Sequence, residues 1–351
     1  MQSVIRYMAK KLLDIKVLSK EIVFEKCSNS FSYPENFEQK DMHLFEKNHF
    51  EQSVMEGSCN ILENVSVSNY FIFSGFRFST EFTIHIYDRK VKFGEYLTAI
   101  IKSIFAKKVY FEEGFLGLQE YGQNYYHFII EMLPDIIHVH NRYPNLPIFI
   151  PSNLKKTGFI PEIFEIFGIN PTYYDLSKVL KIKKLMVSPR GKEGNLNKQH
   201  IFSLQTQFQE KVGISKDNNP HRRIYISRRK AFKRKILNEL DVIQLLKKYD
   251  FEVIYAEEYT LKEKIKMLSE CSIMVSSHGA GFTNILFLKP NQSVVELKAH
   301  NNKFWMFYNL SRLTDNKYYY LLCDSDHPEH DVANISVDLT KLECVIKETI
   351  I

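Results

Sequence analysis

Two groups of residues in this 351-residue sequence have the types and spacing for chemistry. The first is His127, Glu131 and Asp135, which recur every four residues and so line one face of a helix whose other positions are nearly all apolar. Ionisable groups on such a helix need a partner or a purpose. A His–carboxylate pair there suits removal of a proton from a hydroxyl; the plainer alternative is a capped helix face with a structural ion pair. Pro134, inside the same stretch, removes a backbone bond and is expected to bend the helix, aiming its polar face into a cleft.

The second group lies between residues 222 and 297. The run IMVSSHGAGFTNILF places His278, Gly279, Ala280 and Gly281 between a buried strand and the first turn of a helix. Small residues there let backbone amides approach a ligand, and the helix start adds partial positive charge, so a diphosphate fits. A tight turn that simply needs glycine is the alternative. Residues 222–235 pack eight Lys or Arg into fourteen positions, most of them ordinary solvated surface. Arg228 follows the strand directly, where a guanidinium can grip phosphate oxygens bidentately. Arg223, Ser227 and Arg234 beside it, and Asn284 in the next helix, complete the donor-side candidates. Glu296, taken as the end of the strand SVVEL, is placed to accept hydrogen bonds from ribose hydroxyls.

The elements that must position these residues are legible. From residue 224 the order is strand 224–227, helix 238–249, strand 251–255, helix 261–269, strand 273–276, a helix from Phe282 and strand 293–297. Strict alternation with short, fully apolar strands implies a parallel sheet covered on both faces. Its carboxyl ends bring the Arg228 and His278 loops to one edge. Thr260 and Glu263 form a capping box, and Lys289-Pro290 stops the preceding helix. Upstream, a helix over 124–141, a strand at 148–150, helices at 161–167 and 198–213 and a strand at 182–187 suggest a second α/β layer, after strands and hairpins over 60–93. The expected domains are 1–214 (1–110 irregular and β-rich, 121–190 α/β) and 215–351, Rossmann-like. The last helix is expected to pack back on the first domain.

Composition narrows the class. The chain is 44% hydrophobic and 14% aromatic, with a formal net charge of +6. That balance is globular, and it permits an anionic ligand without demanding nucleic acid. Basic residues confined to one loop, with no recognisable nucleic-acid fold, argue against that partner. Five scattered cysteines with no C-x-x-C pair point to a reducing cytoplasm. Residues 1–13 are basic and amphipathic, which raises contact with the inner face of a membrane; a solvated first helix is the plainer reading. Asp324 and Asp326 match the D-x-D of metal-dependent glycosyltransferases only superficially, since DSDHPEHD has the composition of a surface loop.

From Tyr121 to Leu297 the sequence resembles glycosyltransferase family 61. The matching stretches are NYYHFIIEMLP at 124–134, RRIYISRR at 222–229, Asn238-Glu239, and SSHGAGFTNILF through VVEL at 276–297. It departs from the family at Phe128, where Trp is common, and at Lys264, where Gln is common. The resemblance implies a GT-B fold, two Rossmann-like domains facing each other across a cleft, with inversion at the anomeric carbon and no divalent metal or other cofactor. Carried over by position, it makes Arg228, His278, Gly279, Ala280, Gly281 and Glu296 donor-site residues, and sets His127 and Glu131 towards the acceptor. The expected activity is transfer of a sugar from a nucleotide donor, UDP-linked, to a hydroxyl of a glycan or glycolipid in bacterial capsule or lipopolysaccharide synthesis. The competing readings are a metal-dependent transferase using Asp324 and Asp326, and a non-catalytic module that binds a nucleotide or polyanion.

Overall fold

The computed structural model describes residues 15–75, 77–78, 82, 93–117, 121–189 and 196–350. The amphipathic segment 1–13 and most of the stretch 79–92 lie outside the described residues. The chain divides into two compact units, residues 1–27 with 55–193, and residues 28–54 with 194–351.

The first unit is built on a mixed sheet. The long strand Gly57–Ser68 pairs antiparallel with Val17–Phe24 and Phe71–Ser74 on one edge and with Val179–Val187 on the other. From there the sheet continues parallel, through Lys108–Leu116 and Ile148–Pro151 to Thr172–Tyr174. Leu62, Val65, Val67, Leu116, Phe149, Leu180, Ile182 and Leu185 form its core. The two parallel strands Lys108–Leu116 and Ile148–Pro151 are joined through the helix that carries His127. A crossover of this kind starts its helix at the carboxyl end of the strand it leaves.

The second unit carries six strands in the order Phe251–Ile254, Arg222–Ile226, Cys271–Ser277, Ser293–Ala299, Lys317–Ser325, Ile335–Ser336. The first five are parallel, and only Ile335–Ser336 runs the other way. Taken in chain order this is a 2-1-3-4-5 doubly wound sheet, and connections leave in opposite directions from Arg222–Ile226 and Cys271–Ser277. The helices Glu239–Lys247 and Leu339–Ile350 cover one face, where Val242, Leu246, Leu342 and Ile346 meet Val275, Val295 and Leu321. The Thr260–Glu263 capping box forms as the sequence indicates, opening the helix Leu261–Ser269.

Three expectations about organisation differ from the structure. The helix Lys198–Val212 belongs with the second unit, because its buried side packs there: Phe208 lies edge-on to Phe287 and Gln205 donates to the Leu288 carbonyl. The division therefore falls at 193/194 instead of 214/215. The last helix packs within its own unit, through Leu342, Val345 and Ile346. Residues 28–54 also join that unit, through aromatic side chains. Phe45 stacks on Trp305 with ring centroids 4.0 Å apart, the Trp305 indole N–H donates to the Leu44 carbonyl, and the Tyr308 hydroxyl donates to the Ser32 carbonyl. Trp305→Ala removes the centre of this cluster and is expected to cost about 3–5 kcal/mol of unfolding free energy. Chemical denaturation measures that loss, and limited proteolysis should then cut first within 28–54.

Candidate active site

The doubly wound sheet places its switch point between Arg222–Ile226 and Cys271–Ser277, and the Arg228 and His278 loops emerge at the carboxyl ends of these neighbouring strands. Ser276 ties them together by donating to the Ile226 carbonyl. After Ser277 the chain turns through His278 and Gly279 into the 3-10 helix Ala280–Phe287, which starts two residues earlier than the sequence reading and is wound more tightly. Its first-turn amides have no intrahelical acceptors.

Arg228 lies directly against this turn, for a side chain begun at Gly279 would run into its guanidinium. That close approach is the physical reason for glycine at this position. At Gly281 a Cβ would meet only open space. The Arg228 side chain is half-buried: among the described residues its Nε is buried without a partner, and a terminal nitrogen donates to the Lys233 carbonyl over 3.4 Å. Burial, then the charge of Arg234, push its pKa down to about 10, so it stays charged at neutral pH. Arg234 reaches inward because its backbone takes the left-handed conformation, φ 61°, unusual for a residue with a side chain. Its Nε is also buried and unpartnered, and burial lowers its pKa too. Neither arginine has a carboxylate in ion-pair range among the described residues. Glu257 acts on Arg228, and Asp331 and Glu296 on Arg234, only from beyond ion-pair distance, so two partly desolvated cations lie together with no carboxylate bonded to either among the described residues, an arrangement suited to an anion.

His278 sits behind that site. Glu296 is fully buried, its Oε1 bonded to His278 Nδ1 and its Oε2 accepting from the Tyr318 hydroxyl. Burial lowers the His278 pKa despite the nearby carboxylate, so the imidazole is neutral at neutral pH. The bond to Glu296 puts the ring proton on Nδ1. Glu296 itself is held below the usual carboxylate range: burial opposes ionisation, but His278, Lys298 and Tyr318 outweigh it. Lys298, two residues along the same strand face, is wholly buried, bonded to the Phe304 carbonyl, with its Nζ 4.0 Å from the Trp305 ring centroid. Burial brings its pKa down to about 8.

Several donor-side candidates are placed elsewhere. Glu296 is interior to a strand that runs on to Ala299, and with both oxygens engaged it orients His278 instead of meeting a ribose. Ser227 donates to Glu239 Oε1 at 2.7 Å, as does the Tyr225 hydroxyl at the same distance, so the Asn238-Glu239 pair anchors the strand end. Asn238 meanwhile exchanges two hydrogen bonds with the backbone of Val337. Arg223 lies at the amino end of its strand, away from the switch point, and donates to the Tyr249 carbonyl at 2.8 Å. Asn284 is buried within the helical turn. Ala280 and Gly281 stay partly exposed beside Arg228's partner Gly279. The sequence reading missed Tyr318, which has no motif around it, and Lys298, whose two-residue spacing from Glu296 on a strand was the available signal.

In the first unit, His127 Nδ1 lies 2.9 Å from Glu131 Oε2, both side chains largely buried. The disturbance expected at Pro134 falls in the turn before it. That turn widens: residues His127–Met132 are π-helical, with the Leu133 N–H bonded to the Phe128 carbonyl five residues back, and Leu133–Arg142 is α-helical. Opening that turn accommodates the missing N–H and the bulk of the proline ring. Asp135 makes no bond to either residue; it lies near the buried Cys59, whose thiol is pushed up to about 12 by burial and then by the Asp135 charge. Asp326 is occupied in its loop, where it accepts from the Asn334 backbone and side chain, both at 2.8 Å. Among the described residues no group of three or more His, Cys, Asp or Glu is arranged to hold a metal ion.

No curated protein matches the chain. Residues 125–295 match the family model described as glycosyltransferase 61. That stretch runs from the residue before Tyr126 in the His127 helix, through the Arg228 and His278 loops, into the strand that carries Glu296. The protein is a glycosyltransferase and belongs to family 61.

Proposed function

We propose that the chain transfers a sugar from a nucleoside diphosphate donor to a hydroxyl of a glycan acceptor, with inversion and without a divalent metal. The observation that carries this reading is the pair of partly buried arginines Arg228 and Arg234, whose Nε atoms are buried with no partner among the described residues, with Arg228 against the Gly279 turn. The leaving diphosphate is assigned to those two cations and the amides of Gly279 to Gly281. Fixed positive charge of this kind does the work a metal does in other transferases. The neutral His278, held by Glu296, supplies a hydrogen-bonding group to the same site.

The acceptor hydroxyl loses its proton to the His127–Glu131 pair as its oxygen attacks the anomeric carbon. The bond from that carbon to the diphosphate oxygen breaks as the new bond forms, and a single displacement inverts the configuration. Donor binding in one unit and acceptor activation in the other is the division of labour of a GT-B enzyme. A role in bacterial surface polysaccharide synthesis in the cytoplasm, with a UDP-linked donor, extends the reading to a context that rests on family analogy. The test is donor hydrolysis and transfer over a panel of nucleotide sugars, with and without EDTA. Turnover is expected to be unchanged by chelator; loss of activity in EDTA that is restored by Mg²⁺ or Mn²⁺ would overturn the metal-independent mechanism.

A further inference from the structure

Among the described side chains of the helix Phe93–Phe105, four large apolar ones are exposed. At 100° per residue, Leu97, Ile101, Ile104 and Phe105 fall in one stripe about 100° wide. They are 44%, 49%, 51% and 81% exposed. On the packing side, Ile100 is partly buried against the cluster of Phe71 and Phe73. Ala99 is fully buried against Phe71 and Phe73, and Lys102 reaches across to Asn69 and the Leu176 carbonyl. Four large apolar side chains exposed along one stripe call for an occupant.

The residues that follow choose among occupants. Lys107 and Lys108 are exposed directly after the helix, with no carboxylate partner among the described residues. Lys181 is close enough to Lys108 that its pKa is lowered, by burial first and then by that charge. Tyr110, next on the strand, is 74% exposed. Protein interfaces are depleted in lysine, whereas a helix lying in a bilayer surface has an apolar stripe bordered by lysines and by aromatics with a polar tip. We propose that the Leu97–Ile101–Ile104–Phe105 face, with Lys107, Lys108 and Tyr110, is a docking surface for an anionic lipid bilayer. The apolar side chains enter the acyl boundary and the lysines meet the headgroup charge.

Co-sedimentation of the full chain with phosphatidylcholine vesicles, with and without phosphatidylglycerol, tests this. The wild type is expected to bind the anionic vesicles. The double variant Ile101→Ser with Phe105→Ser should reduce partitioning tenfold or more, on the order of the loss expected from two apolar anchors. Lys107→Glu with Lys108→Glu should lose about fivefold per residue and the preference for phosphatidylglycerol. Because these side chains are exposed, both variants should melt with the wild type and hydrolyse donor at the same rate. Absence of binding to anionic vesicles, or binding indifferent to the serine variants, overturns the proposal. So does a wild-type dimer that the serine variants turn into a monomer, which would assign the face to a second copy of the chain.

Discussion

Arg228→Ala is expected to lower kcat/KM for the nucleotide-sugar donor by about a thousandfold, roughly 4 kcal/mol, since it removes a preorganised cation from the leaving diphosphate. The same change should leave the melting temperature unchanged or raise it. The Arg228 Nε is buried without a partner among the described residues and a second cation lies nearby, while Glu257 acts only from beyond ion-pair distance, so the folded chain is relieved of a partly desolvated charge when it goes. Activity and stability moving in opposite directions distinguish a binding arginine from a structural one. Arg228→Lys should recover only part of the loss, because the ammonium keeps the charge and forfeits the two-pronged grip. Gly279→Ala should weaken donor binding about tenfold by displacing the guanidinium that lies where the methyl would stand. Kinetics together with calorimetry decide the matter: an Arg228→Ala protein that melts lower and binds donor normally would remove Arg228 from the site.

His127→Ala and Glu131→Gln should each reduce turnover by about 10²–10⁴-fold while the donor dissociation constant stays within about twofold of wild type. The two act as one unit across their 2.9 Å contact, so the double variant should be little worse than either single one. Asp135→Asn should remain within a few-fold of wild type, since Asp135 bonds to neither of them. Titration of donor by calorimetry, beside initial rates at saturating donor, separates the two effects. If donor affinity and turnover fall together in the His127 variant, the pair is holding the fold and not activating the acceptor.

The second unit was largely written in local patterns. Short apolar strands between polar breaks set four of its strands to within a few residues but left Lys317–Ser325 and Ile335–Ser336 unread, and Thr260 with Glu263 marked a helix start that the structure reproduces. Which strands are neighbours was not local information, yet the parallel order followed from the alternation alone. At the site, the approach of Arg228 to Gly279 was legible because each follows a strand at a carboxyl end. Glu296 was misread because the strand continues through Leu297 and Lys298 to Ala299, which turns an apparent strand end into buried interior. Arg223 was taken together with the basic run 222–235, although it lies near the amino end of the strand Arg222–Ile226, away from the loop that carries Arg228. Nothing in the spacing of Phe31, Phe37, Phe45 and Phe50 tells of Trp305 and Tyr308, because aromatic contacts across the length of the chain leave no period in sequence. The π-turn at His127 was hidden for a similar reason: the proline announces a disturbance without saying how the backbone absorbs it.

The aromatic attachment of residues 28–54 has a consequence for how the molecule is made. Leu44 leaves the ribosome long before Trp305, its hydrogen-bonding partner 261 positions later. During synthesis this greasy segment has no native surface to rest on, and contacts closed over so long a loop are slow to form. Expression yield should accordingly respond to chaperone supply, and a fragment begun at residue 194 would emerge with Trp305 and Tyr308 bare. A gene fragment encoding the nucleotide half therefore has to carry the early segment with it, joined in a new order, if it is to stay in solution.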